Sequence, residues 1–293
     1  MKAVFLTESY KDIYFKSAEG LTLYARDYDN NTDKPALLCL HGLTRNSADF
    51  HDLALHLNER FRIITVDQRG RGKSENDPDP SKYRPDIYCS DVFALLENLK
   101  LQNVVVIGTS MGGIMIMMMA AEKPGLFRGA IINDIGPEID PAGLIRIQGY
   151  VGATHEFASW EDAARSIKTQ QGTDVFPLYS FDDWLAFAKR TCVEKADGKI
   201  QFAYDPALAN PFKDDETVSS PVDMWPLFES LHSIPVMTIR GQRSDILSEQ
   251  TLNAMERSHP DFKAVTIPDI GHAPILTEPQ SLKAIDSFLE TFK

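Results

Sequence analysis

Cysteine is scarce in this chain. Its 293 residues include only Cys39, Cys89 and Cys192. They are widely spaced, odd in number and form no CxxC, which excludes a disulfide framework and fits a reducing compartment. Long hydrophobic runs are also missing. The longest, Ile114 to Ala121, falls far short of the ~20 residues a membrane helix needs. The opening segment MKAVFLTESYKD has only a very short apolar stretch and does not read as a signal peptide. A cytoplasmic protein that does not enter the membrane is therefore expected. Positive charge is in deficit, with 30 Lys and Arg against 42 Asp and Glu and a net charge of −12. That balance argues against nucleic acid or an anionic membrane surface as the main partner. Metal-ligand patterns are absent too. His51 and His56 are five apart and share no helix face, and His155, His232 and His259 have no companions. No metal and no organic cofactor is expected. Internal repeats and low-complexity segments are lacking, and the oligomeric state is left open.

What is present is an ordinary globular composition, 43% hydrophobic and 25% charged, enough for a sizeable core. Residues 12–28 alternate with period two around SAEG, as in a hairpin. Continuous aliphatic runs follow in 36-ALLCLHG-42, 61-FRIITVD-67, 103-NVVVIG-108 and 129-GAIINDI-135, separated by helical patterns. Strands buried on both faces read as such runs, and their alternation with helices predicts an α/β fold: a mostly parallel central sheet with helices on both faces. The alternation lapses over residues 138–220, which show helical stretches and no convincing strand pairs. It resumes with 234-IPVMTIRG-241 and 262-FKAVTIP-268. The expected organisation is a core of residues 1–137 and 221–293 interrupted by a helical cap at 138–220.

The stretch 108-GTSMGG-113 places Ser110 between glycines, after a strand and before a helix. Glycines there permit a close strand–helix crossing, and the serine hydroxyl projects at the carboxyl end of the sheet, where open α/β sheets bind ligands. The Met111 amide, in the first helical turn, is an unpaired donor able to face an anion. A serine needs a base, and the base needs a carboxylate to fix its tautomer. His272, in 267-IPDIGHAP-274 after the last strand, is the candidate base. Asp245, in 239-IRGQRSDILS-248, is the preferred acid, and Asp134, also at a strand end, is its rival. The segment GRGKS resembles a phosphate-binding loop, but Asp67 stands where that motif requires glycine. The methionines at 115 and 117–119 are read as filling the core behind the serine.

The chain order Ser110, Asp245, His272 is that of the α/β-hydrolase triad. The chain resembles an α/β-hydrolase-fold serine hydrolase with a helical cap, through 40-LHGLTRN-46, 66-VDQRGRGKS-74, 108-GTSMGG-113, 240-RGQRSDILS-248 and 269-DIGHAP-274. These motifs span most of the core and specify the fold, not one substrate. The resemblance implies an oxyanion hole made by the backbone amides of Leu43 and Met111, with Gly42 turning the backbone and His41 bracing it. Serine at the nucleophile position separates the chain from haloalkane dehalogenases and epoxide hydrolases, which use aspartate there. The expected activity is hydrolysis of a small-molecule carboxylic ester. Alternatives are a lactone or carbon–carbon bond hydrolase with the same triad, or a ligand sensor on a hydrolase scaffold. Arg45, Asn46 and Arg69 are candidates to meet a substrate carboxylate, and Trp184 in the insertion is a candidate substrate contact.

Overall fold

The computed structural model describes residues 9–29, 32–152, 156–171, 175–212 and 223–292. The opening segment read for a leader, except its last four residues, and His155 lie outside these residues. Among the described residues eight strands form the central sheet. β1 (Lys11–Lys16) and β2 (Thr22–Tyr28) form the expected antiparallel hairpin, and β2 pairs antiparallel with β4 (Ile63–Asp67). From there the pairings are parallel, through β3 (Leu37–Leu40), β5 (Val104–Thr109), β6 (Phe127–Asn133), β10 (Val236–Gly241) and β11 (Phe262–Ile267). All four residues of β3 and Val104 to Gly108 of β5 are buried, as aliphatic strands covered on both faces must be.

Helices α1 (His51–Leu57), α2 (Pro85–Asn98) and α3 (Met111–Glu122) lie between the first parallel strands, and α8 (Glu249–Ser258) and α9 (Pro279–Leu289) flank the last. α3 packs on β3, β5 and β6. Met115, Met117 and Met119 are fully buried there, so the methionine run serves the core behind Ser110.

Between β6 and β10 the chain leaves the sheet. It forms α4 (Pro141–Gln148), α5 (Trp160–Gln171) and α6 (Phe181–Thr191), and after residues 213–222, which lie outside the description, α7 (Trp225–Glu229). This region is not purely helical. β7 (Glu156–Phe157), β8 (Cys192–Glu194) and β9 (Ile200–Phe202) make a small antiparallel sheet in the order β7-β9-β8. Strands of two or three residues are too short to leave a period-two pattern in sequence. The inserted elements are stitched to the core by backbone hydrogen bonds: Gly72 N–H to Ala203 O at 2.8 Å, Asp205 N–H to Gly70 O at 2.8 Å, and Gly271 N–H to Val175 O at 2.6 Å.

Candidate active site

The turn from β5 into α3 holds Ser110 at φ 53° and ψ −114°, a left-handed conformation uncommon for a residue with a side chain. Such a position costs ~1–3 kcal/mol and persists only where the surroundings impose it. Here they do. A Cβ on Gly112 would lie 2.1 Å from the Leu40 carbonyl oxygen, and one on Gly108 would lie 2.5 Å from the Gly112 backbone. Only glycine at both positions lets α3 cross this close to β3 and β5. The Ser110 amide donates to Asn133 O at 2.9 Å, which ties the turn to the end of β6.

The hydroxyl of Ser110 lies 2.9 Å from His272 Nε2, and His272 Nδ1 lies 2.8 Å from Asp134 Oδ2. A carboxylate accepts only, so Nδ1 carries the proton and Nε2 is left to accept from the serine. Asp134 is fully buried, and its other oxygen, Oδ1, accepts the Gly241 amide at 2.8 Å. This arrangement corrects the preference for Asp245. The sheet order sets β6 beside β10, so the residue just past β6 meets both the Gly241 amide and the His272 ring. Asp245 lies further along the loop after β10 and faces α4 of the insertion. Its two oxygens accept from Arg146 Nε at 2.6 Å and Nη2 at 2.8 Å. Burial raises the Asp245 pKa, but the Arg146 guanidinium overrides it and leaves the carboxyl below its ordinary value.

The loop after β3 is braced from behind. His41 is fully buried, and its Nε2 accepts from the Gln68 amide at 3.0 Å. Its Nδ1–H therefore donates to Gly42 O at 2.7 Å. Burial, aided by the positive charge of Arg71, pushes the His41 pKa down to about 3, so the ring is neutral. Arg71, 1% exposed, donates through Nε to Leu43 O at 2.9 Å, and its Nη2 lies 3.8 Å from Met111 Sδ. One buried guanidinium thus touches both residues whose amides are expected to face the oxyanion. Gly42 is less constrained than expected. Its φ is not left-handed, and a Cβ there would meet only ordinary contacts, at 3.6 Å or more.

Ser110 and His272 open onto a cleft with an empty volume of about 750 Å³, solvent at its mouth included. The loop after β3 contributes Leu43, Arg45 and Phe50, and the insertion contributes Ile147, Tyr150, Gln171, Phe187 and Arg190. Of the expected substrate contacts, only Arg45 lines this cleft. Asn46 instead caps the short helix Ser47–Phe50 through its oxygen and donates Nδ2 to Arg190 O at 2.9 Å, joining core to insertion. Arg69 is buried in a network with Asp91, Asp77 and Glu19, at 2.5–2.9 Å, and braces the loop after β4. Trp184, 1% exposed, packs among Phe176, Tyr179 and Phe187 inside the insertion and is not part of the cleft wall. The insertion's wall residues carry no sequence pattern that singles them out.

Among the described residues no group of His, Cys, Asp and Glu could hold a metal ion, and no helix is long and apolar enough to cross a membrane.

Comparison with known proteins agrees with this architecture. The chain is 32% identical to a 3-hydroxybutyrate-oligomer hydrolase of Cupriavidus necator, over 86% of this chain and 87% of that protein. It is 27% identical to a 2-(acetamidomethylene)succinate hydrolase of Mesorhizobium japonicum, over 87% and 88%. The crystal structure of an alpha/beta hydrolase from Novosphingobium aromaticivorans superposes with a TM-score of 0.92 at 44% identity, covering 97% of this chain and 99% of that one. The family model of the alpha/beta hydrolase fold matches residues 35–279, from just before β3 to the start of α9. With that match spanning every loop that meets at Ser110, the chain belongs to the alpha/beta hydrolase fold family.

Proposed function

We propose that the protein is a serine hydrolase that cleaves a small carboxylic ester through a covalent acyl-enzyme. One observation carries this reading: at the cleft floor, Ser110 Oγ is 2.9 Å from His272 Nε2, and Asp134 backs the ring. Ser110 Oγ attacks the ester carbonyl as its proton passes to His272 Nε2. The buried carboxylate of Asp134 stabilises the imidazolium and holds its tautomer. The tetrahedral oxyanion is received by the amides of Leu43 and Met111. Collapse breaks the carbonyl–alkoxide bond, and His272 gives its proton to the departing alcohol. Water then attacks the acyl carbon as His272 takes its proton, the acyl–Ser110 bond breaks to release the acid, and His272 returns the proton to Ser110 Oγ to restore the hydroxyl. The insertion walls the cleft with Ile147, Tyr150 and Phe187 and limits bulk water at the reacting atoms.

The relatives are hydrolases. The Cupriavidus protein is named for 3-hydroxybutyrate oligomers, and zebrafish and mouse relatives are named sn-1-specific diacylglycerol lipases. Carried to this chain, those names favour an ester over a carbon–carbon bond. The Mesorhizobium protein, named for a succinate derivative, keeps a wider range of hydrolysed bonds worth testing. Turnover of p-nitrophenyl acetate and butyrate, set against a lactone and a vinylogous diketone acid, is the test. Ester cleavage well above the other two is expected. Failure to turn over any ester contradicts the proposal.

A further inference from the structure

Among the described residues two arginines line the cleft, and only one of them is tethered at every side-chain nitrogen. Arg45 donates Nε to Asp49 Oδ2 at 2.7 Å, pairs Nη2 with Asp49 Oδ1 and donates Nη1 to Thr191 Oγ1 at 2.5 Å. Its guanidinium carbon sits 3.9 Å over the Phe187 ring. All three nitrogens are used, so Arg45 is wall.

Arg190, in the last turn of α6, is different. Its backbone is pinned from the core, since Asn46 Nδ2 donates to Arg190 O at 2.9 Å and the neighbouring Thr191 side chain is held by Arg45. Its guanidinium has one ion-pair contact among the described residues, 3.5 Å from Asp52 Oδ2, and the Asp52 side chain is 57% exposed. A long pair to an exposed carboxylate is weak and screened by salt. Arg190 itself is largely sheltered, with 19% of its side chain exposed, and it faces the same cleft as Ser110 and His272. Among the described residues the one carboxylate lining the cleft, Asp49, is already held by Arg45. Among the described residues, the cleft wall therefore presents one guanidinium tied only by a long ion pair, on a fixed backbone, in a wall shared with Ile147, Tyr150, Gln171 and Phe187.

We propose that Arg190 receives a carboxylate of the substrate, so that the preferred ester is an anionic one, a half-ester of a diacid or an ester of a hydroxy acid. The proposal rests on the esterase reading and deepens it. A guanidinium matches a carboxylate with paired, charge-assisted donors, and the sheltered cleft strengthens that contact relative to the one with Asp52.

The experiment compares matched esters, monoethyl against diethyl succinate and O-acetyl-3-hydroxybutanoate against its methyl ester, in wild type, Arg190→Gln and Arg190→Glu. The quantity read is the ratio of kcat/KM for the anionic ester to that for its neutral partner. It is expected to exceed roughly tenfold in the wild type in at least one pair, to collapse to about one in Arg190→Gln and to invert in Arg190→Glu. In parallel, monoethyl succinate and 3-hydroxybutanoate are titrated calorimetrically into Ser110→Ala protein with and without Arg190→Gln. Binding that is lost in the double variant supports the proposal even if no ester is cleaved, in which case only the esterase reading falls. A wild-type ratio near one in both pairs, a ratio unchanged by Arg190→Gln, or no binding of either anion to Ser110→Ala overturns it.

Discussion

Asp134 Oδ2 lies 2.8 Å from His272 Nδ1, at the end of the strand directly after the nucleophile turn, while Asp245 is held in a two-point contact by Arg146. The carboxylate that backs the histidine thus follows β6 and not β10. Asp134→Asn is expected to lower kcat by about 10³–10⁴, because the amide favours the wrong imidazole tautomer. Asp245→Asn is expected to change kcat by less than about tenfold, since it only loosens a partly exposed ion pair. Steady-state kinetics on p-nitrophenyl butyrate distinguish them, and the reverse order of effects would return the role to Asp245.

The crossing of α3 over β3 yields a prediction about stability. In Gly112→Ala, the added Cβ meets the Leu40 carbonyl oxygen at 2.1 Å, so backbone must shift. A loss of about 1–3 kcal/mol is expected from denaturant melts, together with lost activity as the turn moves. Gly42→Ala, where contacts are ordinary, should fold with near-native stability. Equal losses in the two variants would contradict the close-crossing explanation.

The loop carrying Leu43 depends on a neutral His41. In the unfolded chain its imidazole takes a proton near pH 6.5, whereas the folded ring resists until about pH 3. The unfolded state therefore binds more protons in this window. The contribution is fully present above pH 6.5 and shrinks as pH falls toward 3, by about 2 kcal/mol at pH 5. Nitrogen NMR at pH 5 should show the His41 ring still neutral and protonated on Nδ1. A ring titrating near 6.5 would contradict its buried, singly protonated state.

Arg71 bridges the Leu43 carbonyl and the Met111 sulfur. Arg71→Met keeps much of the bulk but frees the Leu43 peptide. Turnover should fall roughly tenfold or more through kcat, with KM little changed, because the loss falls on the oxyanion and not on ground-state binding. Circular dichroism and melting curves control for folding. A change confined to KM would argue against this positioning role.

Much of this was legible in the sequence, for definable reasons. Strands such as 104-VVVI-107 are buried on both faces, so they appear as unbroken aliphatic runs and their order with the helices gives the fold. Ser110 was legible because its turn demands Gly108 and Gly112 by contact. The partner of His272 was not, because Asp134 and Asp245 both follow strands. Only the lateral pairing of β6 with β10 decides which one reaches the ring. The strands β7, β8 and β9 were too short to register, and Trp184 signalled an aromatic core of the insertion, not a substrate contact. Arg190 shows no sequence feature of its own. Its place in the cleft depends on Asn46 and Arg45 reaching across to the end of α6.

The central claim is that Ser110 is the attacking group, and covalent labelling tests it most directly. The protein is treated with a fluorophosphonate and its intact mass and peptides are measured. The account predicts one adduct per chain, located on Ser110, absent in Ser110→Ala and strongly slowed in His272→Ala. An adduct that survives Ser110→Ala, or a wild-type protein that takes up none, would contradict it.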